Sequence, residues 1–508
     1  MIKSIFTFSN SLFLMALFVL SFASCDALKP ATSPTRDDKR TEDRRAGNDD
    51  PEDLDPIQSR RVYDPETGTY INVQNAPTGR MDTVQWTTTP EDQQPPIVDS
   101  QEDAYVPPTT TNPGTSAPAT QIGSGNNGSR KLSGYNIEVA LPFLTSRYFG
   151  SEDKVDDNSL WSLHFYSGAK MALDEMRTSG GLNAAFNVKV QDTNADATQA
   201  RSLTESADFN SAQLIIGPYV KDNVGIMAEA ARGKETVVVS PFSAGTGVSA
   251  QNPNYIQVNP TLNTHLRNIM QHAVSTQGAD RIILVTSGSS AQKSRLVALQ
   301  EAYKMMENDP ATADLEEITI NLNSNPDLTL DRYLSDQKTV FIVPVYEDES
   351  FVANFLRRLY TDTREDFGRN VAVYGLPQWV DFTRINFDYY EGTNVHVSAS
   401  VFVDKLDPAV RSFRRDFYGR FATLPRDEAF VGYDVTRYFL RMLAENGTKF
   451  QYDLPNNPED LLHTKFKFAP VVDTPAGQPA VENAPVDRFE NSFVNILRFR
   501  DYTFRRVN

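Results

Sequence analysis

The sequence predicts an α/β protein of two doubly wound lobes on parallel sheets, preceded by a long disordered tether. Three observations carry this expectation. From residue 134 onward, short runs of Val, Ile and Leu alternate with helical patterns. Several of those runs are continuously apolar, as strands covered on both faces require. Residues 26–133, by contrast, hold 13 of the chain's 30 prolines, with Thr, Ser, Asp, Asn and Gly filling most of the rest. Such a composition cannot bury enough apolar surface to offset the entropy of ordering it.

The chain opens MIKSIFTFSNSLFLMALFVLSFASC, with one Lys, an apolar stretch from Leu12 to Phe22 and small residues before a cysteine. That is the pattern of a secretory signal over residues 1–24, too short for a spanning helix. Cys25 is the sole cysteine of the 508 residues, so an exported chain would carry no internal disulfide. The run Phe22-Ala23-Ser24-Cys25 resembles the lipobox of bacterial lipoproteins, which implies lipidation of Cys25 and attachment to a membrane surface by its acyl chains, at roughly 0.8 kcal/mol per buried methylene. An ordinary signal followed by an incidental cysteine is the plainer alternative. The expected address is the Gram-negative envelope, on the outer membrane facing the periplasm. Asp26 resembles an inner-membrane retention signal of enteric bacteria and leaves the choice of membrane open.

The lipidated cysteine and tether together span residues 25–133. As a coil the tether would reach roughly 50 to 60 Å. Within it, residues 60–86 are more apolar than a spacer requires, and DPETG reads as a turn between two short alternating runs. A docking motif for an envelope partner and a hairpin without a partner are both consistent with that segment. The stretch QIGSGNNGSRKLSG reads as plain linker, which starts the body at about Gly134.

Taken in order, YNIEVALPF is a strand, and Tyr166, Ala169, Leu173 and Met176 mark a helix ended by Gly180-Gly181. AFNVKVQDT is a strand with Phe186, Val188 and Val190 in alternation. A helix over 196–207, the strand LIIG, a helix over 223–231 and the strand VVVS follow. The rhythm continues with RIILVTS, a helix over 292–306, EEITINL, VFIVPVY, a helix over 349–360 and NVAVYG. Two helices, 408–421 and 427–445, precede a C-terminal hairpin in NSFVNILRFRDYTFRRV. So many elements exceed one core, and two lobes are the economical arrangement.

In doubly wound sheets, ligands sit beyond the carboxyl ends of the strands. Gly217-Pro218 and Ser240-Pro241 are such ends, and the small residues after the second let a ligand approach the main chain. Equally, either turn could merely terminate a strand. The segment IGPYVKDNVGIMAEAARGKETVVVSPFSAGTGVSAQNPNYIQVNPT, with VALPF, FYSGAKMALDEM, VYGLPQW, FRRDFYGRF and FVGYDV in order around it, resembles the type I periplasmic binding proteins of the branched-chain amino-acid class. The resemblance covers about residues 134–508 and is weak over the last fifty. It implies lobe one over 134–262 and 399–455, lobe two over 263–398 with the C-terminal segment 456–508, and a hinge of two or three crossing strands.

By the same resemblance, a ligand would meet Lys221, Asn223, Ser240, Phe242, Ser243 and Ala244 from lobe one, with Tyr346 and Trp379 from lobe two and Tyr433 from the return segment. The family's amino-acid site is eroded here: Lys221 stands where a serine is expected, Ala244 where threonine is common, and Leu376-Pro377-Gln378-Trp379 offers no carboxylate for an ammonium. Lys221 could oppose an anion or simply be solvated. Each aromatic could cover an apolar ligand or pack internally.

The formal charge of −17 argues against nucleic acid, whose phosphates need clustered Lys and Arg. His164, His265, His272, His396 and His463 are scattered without ligand spacing, so neither metal nor cofactor is expected. No nucleophile elbow or phosphate loop follows a body strand, and Asp192 and Asp381 default to turn capping. Catalysis is not expected. Two functions remain: a solute-binding lipoprotein that presents an unidentified small molecule to a transporter or sensor, or a tethered envelope interaction protein. Some outer-membrane lipoproteins that activate cell-wall synthases resemble the second.

Overall fold

The computed structural model describes residues 60–64, 69–73, 121–124, 126–148, 155–179, 184–279, 281–307, 312–321, 329–364, 370–472 and 485–508. The expected signal peptide, Cys25 and most of the expected tether lie outside the described residues. Strands β1 (Arg60–Asp64) and β2 (Thr69–Val73) pair in a two-stranded sheet on either side of the expected turn.

The body begins earlier than expected. Strands β3 (Gln121–Ser124) and β4 (Arg130–Leu132) pair antiparallel inside the stretch read as linker. Leu132 is buried in the lobe-one core, and the Ser129 hydroxyl donates to the Asn446 carbonyl at 2.6 Å. The Arg130 carbonyl accepts the Thr448 amide at 3.0 Å. One buried leucine and a few backbone bonds anchor a segment whose Gly and Ser content conceals it.

Lobe one then runs β5 (Gly134–Leu141), α1 (Leu160–Ser179), β6 (Ala185–Asp192), α2 (Ala197–Glu205), α3 (Ala207–Ser211), β7 (Leu214–Ile216), α4 (Lys221–Ala231), β8 (Val237–Ser240) and β9 (Tyr255–Gln257). Lobe two follows with α5 (Leu262–Gln277), β10 (Arg281–Thr286), α6 (Ser290–Glu307), β11 (Glu316–Thr319), β12 (Lys338–Ile342), α7 (Glu349–Arg364), β13 (Asn370–Gly375), α8 (Phe387–Gly392) and β14 (Val395–Ala399). The chain returns through α9 (Pro408–Phe421) and α10 (Asp427–Asn446). It ends with a minor pair, β15 (Glu459–Asp460) and β16 (Lys465–Phe466), then β17 (Phe468–Val471), β18 (Arg488–Asn491), β19 (Asn495–Arg500) and β20 (Thr503–Arg506).

Two seven-stranded sheets result, ordered β6-β5-β7-β8-β9-β18-β17 and β11-β10-β12-β13-β14-β19-β20. The first five strands of each are parallel and follow the sequence order 2-1-3-4-5. In that topology the switch point lies between the first and third strands, here β5 and β7 in lobe one and β10 and β12 in lobe two. The C-terminal segment does not go whole to lobe two: β17 and β18 extend the lobe-one sheet, and only β19 and β20 join the other. Strand β18 lies parallel to β9 and buries Phe489 in the lobe-one core, which the short, charged run RFEN does not advertise.

Each sheet is covered on both faces. In lobe one, α1 and α10 cover Ile137, Val139, Ile216 and Val239, while α2 to α4 cover Ala140, Ile215 and Val238. In lobe two, α5 and α6 cover one face and α7 and α8 the other. Helix α5 and strands β9 and β14 have no counterpart in the sequence reading. The helices α1 and α10 cross backbone to backbone at two glycines. A Cβ on Gly168 would lie 1.9 Å from the Ala429 carbonyl oxygen, and one on Gly432 would lie 2.0 Å from that of Phe165. No helix among the described residues is long and apolar enough to cross a membrane.

Three crossings join the lobes, from β9 to α5, from β14 to α9 and from β18 to β19. Each leaves at the carboxyl end of a parallel strand, and β19 starts beside Ala399, the carboxyl end of β14. The hinge therefore joins the two sheets at their carboxyl ends, the side on which both switch points lie.

Candidate functional site

At the lobe-one switch point, β7 ends in Gly217-Pro218. Gly217 adopts φ 113°, and a Cβ there would lie 2.0 Å from the Ala140 carbonyl oxygen of β5, so only glycine lets the two strand ends meet. The neighbouring end is tied to it, since the Ser240 hydroxyl donates to the Pro218 carbonyl at 3.1 Å. Ser240 is thus committed to holding two turns together.

Above these turns stand three aromatic rings. Trp161, in the first turn of α1, lies 4.8 Å from Tyr219 and 5.3 Å from Phe242 between ring centroids, and Tyr219 and Phe242 are 6.1 Å apart. Phe165, one turn along α1 and fully buried, supports Phe242 from below at 5.7 Å. Tyr219 is 47% exposed, and Trp161 and Phe242 are half-buried. This group presents an apolar, wide surface at the strand ends.

Four residues after Tyr219, Asn223 occupies the third position of α4. It is 1% exposed, and neither its amide oxygen nor its amide nitrogen has a hydrogen-bond partner. A buried unsatisfied amide is costly, and such a group at a strand end is suited to a ligand. Lys221 is exposed and lays its stem across Gly245, within 3.2 Å of where a Cβ would sit. Ser243 is buried next to the Tyr255 hydroxyl, and Ala244 is exposed.

The lobe-two switch point holds a polar network that the sequence did not flag. The Gln292 amide oxygen accepts from the Thr286 hydroxyl at 2.6 Å and the Ser287 amide at 2.8 Å, while its nitrogen donates to Glu347 at 3.0 Å. Arg295, 7% exposed, donates to the second Glu347 oxygen at 2.8 Å and to the Pro344 carbonyl at 2.7 Å. Its guanidinium lies 4.3 Å over the Tyr346 ring. Partial burial would raise the Glu347 carboxyl, yet the bonds from Gln292 and Arg295 prevail and hold it below the usual carboxylate range. Glu347 follows the end of β12 with its side chain about a third exposed. A lobe-two carboxylate thus stands after β12, one strand away from the loop after β13 in which the sequence offers none. Its signal was the acidic end of VPVYEDE, unreadable without knowing that β12 borders the switch point.

Two candidates lie elsewhere. Trp379 is completely buried in the lobe-two core, stacked with Phe382, and its indole donates to the Val345 carbonyl at 2.6 Å. Its ring covers Gly375, where a Cβ would stand 2.3 Å from the indole. It is a core residue. Tyr433 lies in the contact among α1, α9 and α10, edge-on to Phe413 at 5.1 Å, with its hydroxyl bonded to Glu175. It closes a helix interface, because the α10 face that carries it packs on helices. Asp434, beside it, pairs with His463 in the interior.

Asp192 is a cap, as expected. Its two oxygens accept from the amides of Phe143, Leu144, Thr145 and Asn194 and from the Thr145 hydroxyl. Burial opposes ionisation, but these donors hold the carboxyl below its usual range. Asp381 is exposed at the end of a short 3-10 turn.

A family model described as "Periplasmic binding protein" matches residues 158–327. Among curated proteins none matches this sequence. Among solved structures, a putative branched-chain amino acid ABC transporter protein from Rhodospirillum rubrum is 17% identical, with a TM-score of 0.50, over 73% of this chain and 99% of that one. An ABC transporter substrate-binding protein from Desulfitobacterium hafniense, in complex with Leu, is 15% identical, with a TM-score of 0.44, over 74% of this chain and 100% of that one. LpoA from Haemophilus influenzae is 13% identical, with a TM-score of 0.46, over 76% of this chain and 59% of that one. Two sheets whose first five strands each run parallel in the order 2-1-3-4-5, hinged at their carboxyl ends, with the family model over residues 158–327 and the Rhodospirillum rubrum structure over most of the body, give the body of this chain the fold of the type I periplasmic binding proteins.

Proposed function

We propose that this protein is an envelope lipoprotein, anchored through Cys25, whose two lobes capture a small molecule with a flat or apolar body. It binds and does not catalyse. The observation that carries this reading is the trio Trp161, Tyr219 and Phe242 at the lobe-one switch point, followed on α4 by the buried, unpartnered amide of Asn223. Rings of that kind cover a planar or aliphatic ligand, and the amide supplies the directional bond that fixes its orientation. From the opposite lobe, Glu347 offers a carboxylate for a hydroxyl, an amine or an amide of the ligand. A free α-amino acid fits poorly, since Ser240 is spent on Pro218 and Lys221 lies at a serine position.

The second reading is a tethered interaction protein that spans the envelope without transporting a solute. The length and composition of residues 26–133 favour it, because a transport receptor needs only a short leash. Under that reading residues 60–86 engage a protein partner.

Native mass spectrometry of the full chain, purified from its own envelope without denaturation, separates the two. Capture predicts a retained small-molecule adduct that falls at least tenfold in Trp161→Ala. A chain that carries no adduct but co-purifies with envelope proteins supports the second reading.

A further inference from the structure

Lobe one has another concavity on the far side of α1 from the aromatic trio. It has a volume of about 570 Å³ and lies between the start of α1 and the outer strand β6. Leu163 and Tyr166 of α1 line it, whereas Trp161 and Phe165 face the trio, so one helix serves two separate surfaces. The apolar part of the remaining wall is formed by Phe143, Leu144, Val155 and Val190, with Tyr148 at its edge. Val155 and Val190 are 41% and 40% exposed, so part of the apolar wall meets solvent. The volume falls within the range of small-molecule pockets.

Of its polar groups, Thr145, Asp156 and Ser159 are already hydrogen-bonded, which leaves the hydroxyls of Tyr166 and of Tyr148, the latter 54% exposed at the solvent edge. The Thr145 amide and hydroxyl both donate to Asp192, at 2.8 and 2.6 Å. Asp156 accepts from the Asn158 amide at 2.8 Å and from Arg147 at 3.1 Å, and the Ser159 hydroxyl donates to the Asp156 carbonyl at 2.7 Å. The wall itself is fixed by the same Asp192, whose bonds hold Leu144 at φ 57°, a left-handed conformation rare for a branched apolar residue. A polar head would meet only the Tyr148 and Tyr166 hydroxyls or water, with no charged group free to pair it, while an aliphatic body loses nothing by entering.

We propose that this pocket takes a hydrocarbon chain, held by its methylenes with the head group left in solvent. The proposal is independent of the inter-lobe reading, since α1 separates the two surfaces. The chain could come from a free fatty acid or from a membrane phospholipid. Native mass spectrometry of the full chain after exposure to dodecanoic acid, to dodecanol or to phosphatidylglycerol vesicles reads both the adduct and its source. Expected are a single adduct, equal occupancy by dodecanoic acid and dodecanol at equal concentration, and at least a tenfold loss in Val190→Arg. Leu163→Trp, which fills the cavity from the helix, should give the same loss, and thermal melts establish that each variant is folded. No adduct from any of the three sources, an adduct that both variants retain, or a strong preference for the acid over the alcohol would overturn the proposal. Loss of the Trp161-dependent adduct alone bears only on the inter-lobe site.

Discussion

At the scale of single residues, the molecule keeps polar groups where the interior cannot satisfy them. Glu138, in the middle of β5, is 1% exposed and has no hydrogen-bond partner on either oxygen. Burial pushes its carboxyl up to about 7, with Asp208 of α3 adding to the rise and Lys189 of β6 opposing it. The unfolded value is near 4.5, so the folded state holds the proton more tightly. Its stabilising effect is complete below pH 4.5 and is lost as pH rises through 7. Glu138→Gln should therefore stabilise the protein by about 3 kcal/mol at pH 8 and leave it unchanged at pH 4, as read from urea melts at the two pH values. An equal effect at both would show that folding does not shift this carboxyl. Nothing in YNIEVALPF signals this, because the sequence shows one acid in a strand and not which face it occupies.

Among the elements, the contact between α1 and α10 sets the geometry of lobe one. FYSGAKMALDEM and FVGYDV are among the motifs that carried the family resemblance, and the structure gives their glycines a physical reason: each lies against a backbone carbonyl of the other helix. Gly432→Ala forces the helices apart, and overpacking of this kind typically costs about 1–3 kcal/mol. Chemical denaturation should show a loss near the top of that range, together with weaker docking of Trp161 and lower ligand retention. A neutral substitution would mean that the helices can separate freely. Most strands and helices were legible in the sequence because their apolar period is strong, as in LIIG, VVVS and the helix over 408–421. The missed elements were legible only in context. Helix α5 follows directly on the segment that carried the resemblance and was given no element, and β9, β14 and β18 are three to five residues long. The candidate site was half legible for a related reason. Turn residues such as Ser240 and Asn223 announce themselves, but Trp161, Arg295 and Glu347 act through neighbours that only the sheet order reveals. Trp379 and Tyr433 looked like site residues because aromatics near strand ends and aromatics in cores share one sequence signature.

For the whole molecule, the hinge decides whether two switch points become one site. Its crossings are linked to one another by buried polar groups. The Glu490 carboxylate accepts from the Thr261 amide at 2.8 Å and the Thr264 hydroxyl at 2.6 Å while pairing with Arg488 at 2.9 Å. His265 meets Ser400 at 3.0 Å, and the Asn268 amide donates to the Ser492 carbonyl at 3.0 Å. Ion pairs buried this deeply are strongly destabilised when one partner is lost, so the crossings hold their relation to each other while the lobes turn about them. A ligand between the lobes shifts that balance only through contacts made in the closed form. The direct measurement is the distance between spin labels at Ala244 and Gln378, both exposed beyond strand ends of opposite lobes, taken by pulsed electron resonance in a Cys25→Ser chain. The chain as purified is compared with the same chain stripped by unfolding and refolded. Capture between the lobes predicts a longer and broader distribution after stripping, restored by adding back the extracted small molecules; identical distributions in all three states would contradict it.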